Sequence, residues 1–213
     1  EWDGETFLSH KSSNSGGVGI LFSRDFLPIS CVTEEIIEGR LLKIQAVFEN
    51  VKLNLINVYA PTVGTERVVF LNTLNTVISN CGDDGYMFLG GDFNCTANAV
   101  LDRNHPEPHG ASKGCLVKLI DANDLCDVWR LFHTTQRQYT WPHVKDNSLS
   151  LARLDRFYCF AHQSNILRSC SIHPVGVSDH SLVQASIFIK DVKCNSAYWH
   201  FNVSLLSDNA FKD

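Results

Sequence analysis

At four places along this chain, polar or acidic residues cluster where an apolar, strand-length stretch ends. These are Asn57-Val58-Tyr59-Ala60-Pro61, Leu89-Gly90-Gly91-Asp92-Phe93-Asn94, Arg153-Leu154-Asp155-Arg156-Phe157 and Val177-Ser178-Asp179-His180-Ser181. Residues so placed project from a sheet rim into loops, where sandwich and α/β folds build their sites. Each cluster also has a purely structural reading. Gly-Gly-Asp-x-Asn consists of turn formers, Ser-Asp-His suits a cap or Asx turn, Arg-Leu-Asp-Arg suits a solvated strand edge, and Tyr59 suits a core tyrosine with a surface hydroxyl.

The periodicity between these clusters is mostly that of strands. Val18–Phe22 follows Gly16-Gly17 as a buried strand, and 42–48 with 53–59 reads as a hairpin. That glycine pair reads as a turn and not as a phosphate loop, since no Lys-Ser/Thr follows. Over 65–81 the period changes: Val68, Leu71, Leu74, Val77, Ile78 and Cys81 fall at helical spacing, with Thr65 as N-cap and Gly82 as the stop. Tyr86–Leu89 is a further strand. A second helix is expected near 113–122, and strands around 138–142, 153–160, 166–173 and 182–189. The stretch 102–112 reads as a loop. Strands and helices thus alternate irregularly, with many antiparallel signals, which suits two stacked sheets with helices outside.

Length and composition fit this. With 213 residues, one domain with a substantial core is the default, ending near 190, and 191–213 reads as a linker toward a following region. Hydrophobic residues at 44% and charged residues at 19% exclude a disordered chain. No apolar run reaches the roughly 18–20 residues of a membrane helix, so no membrane partner is expected. The opening Glu1-Trp2-Asp3-Gly4 lacks both a Met and an export signal, which reads as a truncated start.

The eight cysteines contain no C-x-x-C, and several sit in apolar stretches, so they are expected to be reduced and structural in an intracellular, nuclear or cytoplasmic setting. A zinc site at His105, His109 and Cys115 lacks a fourth ligand at a usual spacing. The sequons at Asn94 and Asn202 are not read as glycosylation sites, given no export signal. A net charge of −5 argues against a protein that holds nucleic acid by charge alone. Residues 137–168 are nonetheless locally basic, with Arg137, Lys145, Arg153, Arg156 and Arg168 against two acids.

Taken in order, Asn-x-Tyr-Ala-Pro, strand-Gly-Asp-x-Asn, Arg-Leu-Asp and Ser-Asp-His resemble the endonuclease/exonuclease/phosphatase superfamily. Within it the chain is most similar to the apurinic-like endonuclease domain of LINE-type (non-LTR) retrotransposons. Gly16–Ile20, Tyr139-Thr140-Trp141 and the Tyr198–Asn202 tail are also typical of such elements. The resemblance spans nearly the whole chain. It implies a four-layer α/β sandwich, two mostly antiparallel sheets flanked by helices, and Mg²⁺-dependent cleavage of DNA, with Mn²⁺ as a substitute ion. It also implies a monomeric domain natively fused to a reverse transcriptase.

The resemblance assigns roles residue by residue. Asp92 orients and deprotonates a water, and Asn94 holds that water or a phosphoryl oxygen. His180 contacts the scissile phosphate, with Asp155 fixing its tautomer. Tyr59 donates to a phosphate oxygen and Asp179 lies on the metal side. Thr140 and Ser178 bind the DNA backbone, while Arg153, Arg156 and Trp141 are candidates for substrate contact. Two expected elements have no counterpart: a first-strand Asn, and a metal-binding Glu at the end of the next strand. Without that carboxylate Mg²⁺ affinity should fall, and without an inner strand an edge and a core face stay uncovered. The chain is therefore expected to be weakly active or inactive. A phosphoesterase of the same superfamily acting on other substrates, and a non-catalytic retrotransposon remnant, are the alternatives.

Overall fold

A computed structural model describes residues 2–12, 15–82, 84–145, 148–190 and 192. The expected tail motif at 198–202 lies outside them, as do most of 191–213.

The frame is one six-stranded sheet. Its strands are β3 (Ser30–Ile37), β4 (Leu41–Val47), β5 (Lys52–Tyr59), β6 (Tyr86–Asp92), β7 (Leu125–Asp127) and β10 (Asp155–Phe160), in the order β3-β4-β5-β6-β10-β7. The strands β5 and β6 lie centrally and pair in parallel, so the link between them must cross over the sheet. That link is helix α1 (Gly64–Ser79), which packs with α2 (Gly110–Ala122) on one face. Phe70, Leu71, Leu74 and Ile78 of α1 and Leu116 and Leu119 of α2 meet Leu41, Ile56, Val58, Met87, Leu89 and Tyr158 of the sheet in one buried cluster. Burying each such side chain contributes roughly 1.5–3 kcal/mol.

The opposite face carries two antiparallel ribbons, β1 (Gly4–Ser12) with β2 (Ser15–Ser23) and β11 (Leu167–His173) with β12 (Leu182–Ile187). Phe22 joins Ile44, Ala46 and Leu53 in a second core, and Leu167, Cys170 and Ile172 join Trp129 and Cys159 in a third. A channel of about 510 Å³ separates the ribbons, walled by Ile20 and Val183 and floored by Leu55, Phe88 and Phe157. The edges of β2 and β12 beside it pair with no further strand among the described residues. The α/β sandwich expected from the sequence is therefore present.

Several boundaries differ from the sequence reading. Thr65 does not cap α1. Val63 occupies the cap position, and the buried Arg67 guanidinium donates instead to the carbonyls of Pro61 (2.9 Å) and Thr62 (2.5 Å). Helix α2 starts at Gly110, inside the expected loop, because His109 Nδ1 accepts from Ser112 N at 3.1 Å. The strand expected at 138–142 runs instead as β8 (Trp141–Lys145), paired with β9 (Ser148–Ala152). A short helix, α3 (Val128–Phe132), completes the elements named here. All seven cysteines among the described residues are free thiols. No helix there is long and apolar enough to cross a membrane.

Candidate active site

The ends of three adjacent strands build the site. Tyr59 on β5 is level with Asp92 on β6 through the parallel register, and Asp92 is level with Asp155 on β10 through the antiparallel one. Registered neighbours point to the same face, so three residues separated by up to 96 positions in sequence are brought side by side. The glycines before Asp92 make the close approach possible. Gly91 has φ +131, and a Cβ there would lie 2.0 Å from the Val58 carbonyl oxygen. A Cβ at Gly90 would meet the Phe157 ring at 2.4 Å.

Past the strand end, Asn94 adopts φ 50, a left-handed conformation that asparagine tolerates. Its backbone N–H donates to Asp92 Oδ1 at 2.8 Å, and its Nδ2 donates to Asp92 Oδ2 at 3.0 Å and to the Ala60 carbonyl at 2.8 Å. Both amide protons are thereby engaged. Asn94 orients Asp92 and keeps only its Oδ1 acceptor free of these bonds, which suits a water proton and not a phosphoryl oxygen.

His180 Nδ1 lies 2.7 Å from Asp155 Oδ2, leaving Nε2 as the outward nitrogen. Its backbone N–H donates to Ser178 Oγ at 3.0 Å, a local turn that sets the ring's approach. Burial, followed by the Asp155 charge, raises the Asp92 carboxyl to about 6, against the opposing Asn94 hydrogen bond. The Asp155 hydrogen bond raises His180 above the ordinary imidazole value, more than burial lowers it.

A cavity of about 530 Å³ opens over this group and is lined by Tyr59, Thr62, Asp92, Asn94, Trp141, Leu154, Asp155, Asp179 and His180. Seven of the eleven expected site residues thus share one cavity wall. Trp141 lies at its rim, stacked on His143 at 4.9 Å and tilted toward His180 at 6.5 Å. Thr62 and Leu154 were not singled out in sequence. Thr62 follows directly on Ala60-Pro61, and that adjacency was the available signal.

Three residues expected to contact DNA are instead buried. Arg153 is 1% exposed: it donates to Asp127 through Nη1 (3.1 Å) and Nη2 (2.6 Å), and to Asp102 through Nε at 3.0 Å. Arg156 is equally buried and donates to the backbone carbonyls of Cys95 and Arg153. Thr140 is fully buried. These groups are desolvated and engaged with partners inside the protein. The basic character of the segment 137–168 overstated the positive charge available at the surface.

Nor do the described residues assemble a cation cage. No group of three His, Cys, Asp or Glu side chains among them could hold a metal ion. Asp92 is already engaged by Asn94 through both oxygens, and Asp179 is exposed on a loop. The described residues therefore form no preformed cage that would hold Mg²⁺ without water or substrate oxygens among its ligands.

No family model matches the chain. Solved structures superpose closely. The 3′-5′ exonuclease NExo from Neisseria meningitidis gives a TM-score of 0.70 at 19% identity, covering 86% of this chain and 79% of its own. An AP endonuclease from Archaeoglobus fulgidus gives 0.69 at 19% identity, over 87% and 80%. The endonuclease domain of TRAS1, a telomere-specific non-LTR retrotransposon, gives 0.66 at 12% identity, over 87% and 81%. This chain has the endonuclease/exonuclease/phosphatase fold. In sequence, this domain of the superfamily's fold is 37% identical over 211 residues to the Transposon TX1 uncharacterized 149 kDa protein of Xenopus laevis. That match takes in 99% of the chain and 16% of the transposon protein. The resemblance to LINE-type endonuclease domains read from the motifs thus agrees with both comparisons.

Proposed function

We propose that this domain hydrolyses phosphodiester bonds of DNA, nicking a target strand for retrotransposition. The observation that carries the reading is the convergence of Tyr59, Asp92, Asn94, Asp155, Asp179 and His180 on one cavity, with His180 held by Asp155 at 2.7 Å. The non-LTR retrotransposon neighbour and the transposon relative support the context.

Hydrolysis of a phosphodiester joins the oxygen of a deprotonated water to phosphorus and breaks the bond to one ester oxygen, which leaves as a hydroxyl after taking a proton from solvent. It also needs stabilisation of charge on the phosphoryl oxygens. Asp92, raised to about 6, is ionised at neutral pH yet basic enough to accept that proton. Asn94 holds it in place and offers Oδ1 to the same water. His180, with Nδ1 bound to Asp155, turns Nε2–H toward the phosphoryl group when protonated, and Asp155 favours that form. The Tyr59 hydroxyl donates to a second phosphate oxygen, and Trp141 gives a base or sugar a flat apolar surface. Mg²⁺, or Mn²⁺ in its place, is the ion the resemblance implies. The described donors form no preformed cage for it, and slow turnover is expected. The reading is tested by nicking of supercoiled plasmid by the 213-residue chain, compared with Asp92→Ala and His180→Ala.

The alternative is a retrotransposon remnant that binds DNA and does not cut it. Binding of labelled duplex at two salt concentrations without nicking at any Mg²⁺ concentration would support it.

A further inference from the structure

Thr140, expected from the sequence to touch DNA, is fully buried, and its bonds all run inward. Its Oγ1 accepts from the backbone N–H of Leu154 at 2.9 Å and from that of Asp155 at 3.1 Å. Its carbonyl accepts from Ser181 N at 2.7 Å, and its own N–H donates to the Ala152 carbonyl at 3.0 Å. One residue thus grips the backbone of Asp155 and the backbone next to His180, two segments that otherwise meet at the 2.7 Å side-chain bond.

We propose that Thr140 is a positioning residue that sets the Asp155–His180 pair, acting through these two backbone segments and never touching the substrate. The chemistry is specific to a hydroxyl. The Leu154 and Asp155 amides lie just before and at the first residue of β10, where the ladder begins, and a buried N–H group left without an acceptor is strongly unfavourable. A hydroxyl oxygen with two lone pairs can take both. Valine has the same shape and no acceptor, so the β10 start would turn its amides elsewhere and carry Asp155 away from His180. Serine retains the acceptor. Other charged groups around the ring, Asp92 and Asp179, sit on β6 and on the 177–181 loop, and Thr140 binds neither directly.

This inference refines the proposed hydrolytic role and is tested without relying on turnover. In the 213-residue chain, the His180 Nδ1–H proton should give a downfield, slowly exchanging NMR resonance, assigned by its disappearance in Asp155→Asn. Thr140→Val should lose that resonance while the core methyl spectrum stays dispersed, and Thr140→Ser should restore it. An unchanged resonance in Thr140→Val would overturn the proposal. Should the valine variant fail to fold, exchange in the unmodified chain decides. Protected Leu154, Asp155 and Ser181 amides support the grip, and exchange at unprotected rates refutes it. Absence of nicking alongside the expected resonance pattern would reject the hydrolytic reading and leave the positioning role standing.

Discussion

Asp92 on β6 and Asp155 on β10 are direct partners across one antiparallel rung. Like charges in that relation destabilise a sheet, and Asp92 is in addition largely desolvated. Its carboxyl is raised to about 6, first by burial and then by Asp155, whose own carboxylate faces His180. The pair divides the labour of the site, one carboxyl poised near neutrality and the other committed to an imidazole.

This arrangement has a cost that can be measured. Folding holds the Asp92 carboxyl above its ordinary value of 3.8, so the folded chain binds more protons than the unfolded one between 3.8 and about 6. Stability from this group is therefore lost as pH rises through that window. Asp92→Asn is neutral at every pH and loses one acceptor facing Asn94, so its stability relative to the unmodified chain is read as a change with pH. In urea unfolding that difference should move in favour of the variant by about 1–3 kcal/mol between pH 4 and pH 7.5. A difference that stays constant across this range would contradict the assignment.

Removing the neighbouring charge should act on the same group. Asp155→Asn is expected to lower the midpoint of Asp92, followed by carboxyl carbon shifts, from about 6 toward the ordinary range. A midpoint left in place would show that burial alone sets it.

Gly91 should tolerate no side chain. At φ +131, with the Val58 carbonyl oxygen 2.0 Å from where a Cβ would sit, Gly91→Ala must move β6 against β5. A loss of more than about 2 kcal/mol in denaturant unfolding is expected. A near-neutral result would mean that the strand ends are not held in the described register.

Arg153 is expected to matter to the fold and not to DNA. It pairs with Asp102 and Asp127 in the interior, where Arg130 also reaches Asp102 at 2.6 Å. Breaking such a buried pair costs about 3–5 kcal/mol, so Arg153→Met should lower the unfolding midpoint sharply. The salt dependence of duplex binding, measured where the variant remains folded, should keep its slope, since no phosphate contact is removed. A shallower slope would return Arg153 to the interface.

Trp141→Ala should weaken binding of labelled DNA by an amount consistent with one lost stacking contact, about 1–3 kcal/mol, with little change in stability. Fluorescence anisotropy at a fixed salt concentration checks it, and unchanged affinity would remove Trp141 from the interface.

The parts of this molecule legible in sequence were those whose side chains repeat in burial. β4 and β5 alternate between buried and half-buried positions, and α1 shows one apolar stripe, so their periods could be read directly. β1 and β3 were missed because most of their side chains are exposed: Thr33, Glu34 and Glu35 carry no apolar rhythm, and the strand is held by pairing to β4. The site was legible as motifs because chain ends of adjacent strands bring distant clusters level. What sequence could not convey was which polar groups face inward. Arg153, Arg156 and Thr140 sit in the same segments as Asp155 and Trp141, and only the three-dimensional register separates those that hold the frame from those that face the cavity.

The most direct measurement is the rate at which the 213-residue chain nicks supercoiled plasmid at high protein concentration with Mg²⁺ present, alongside Asp92→Ala and His180→Ala. Slow nicking by the unmodified chain, reduced by about 10²-fold or more in each variant, is the expected result. One common rate for all three proteins, or no cleavage by the unmodified chain at any Mg²⁺ concentration, would contradict a hydrolytic role for this cavity.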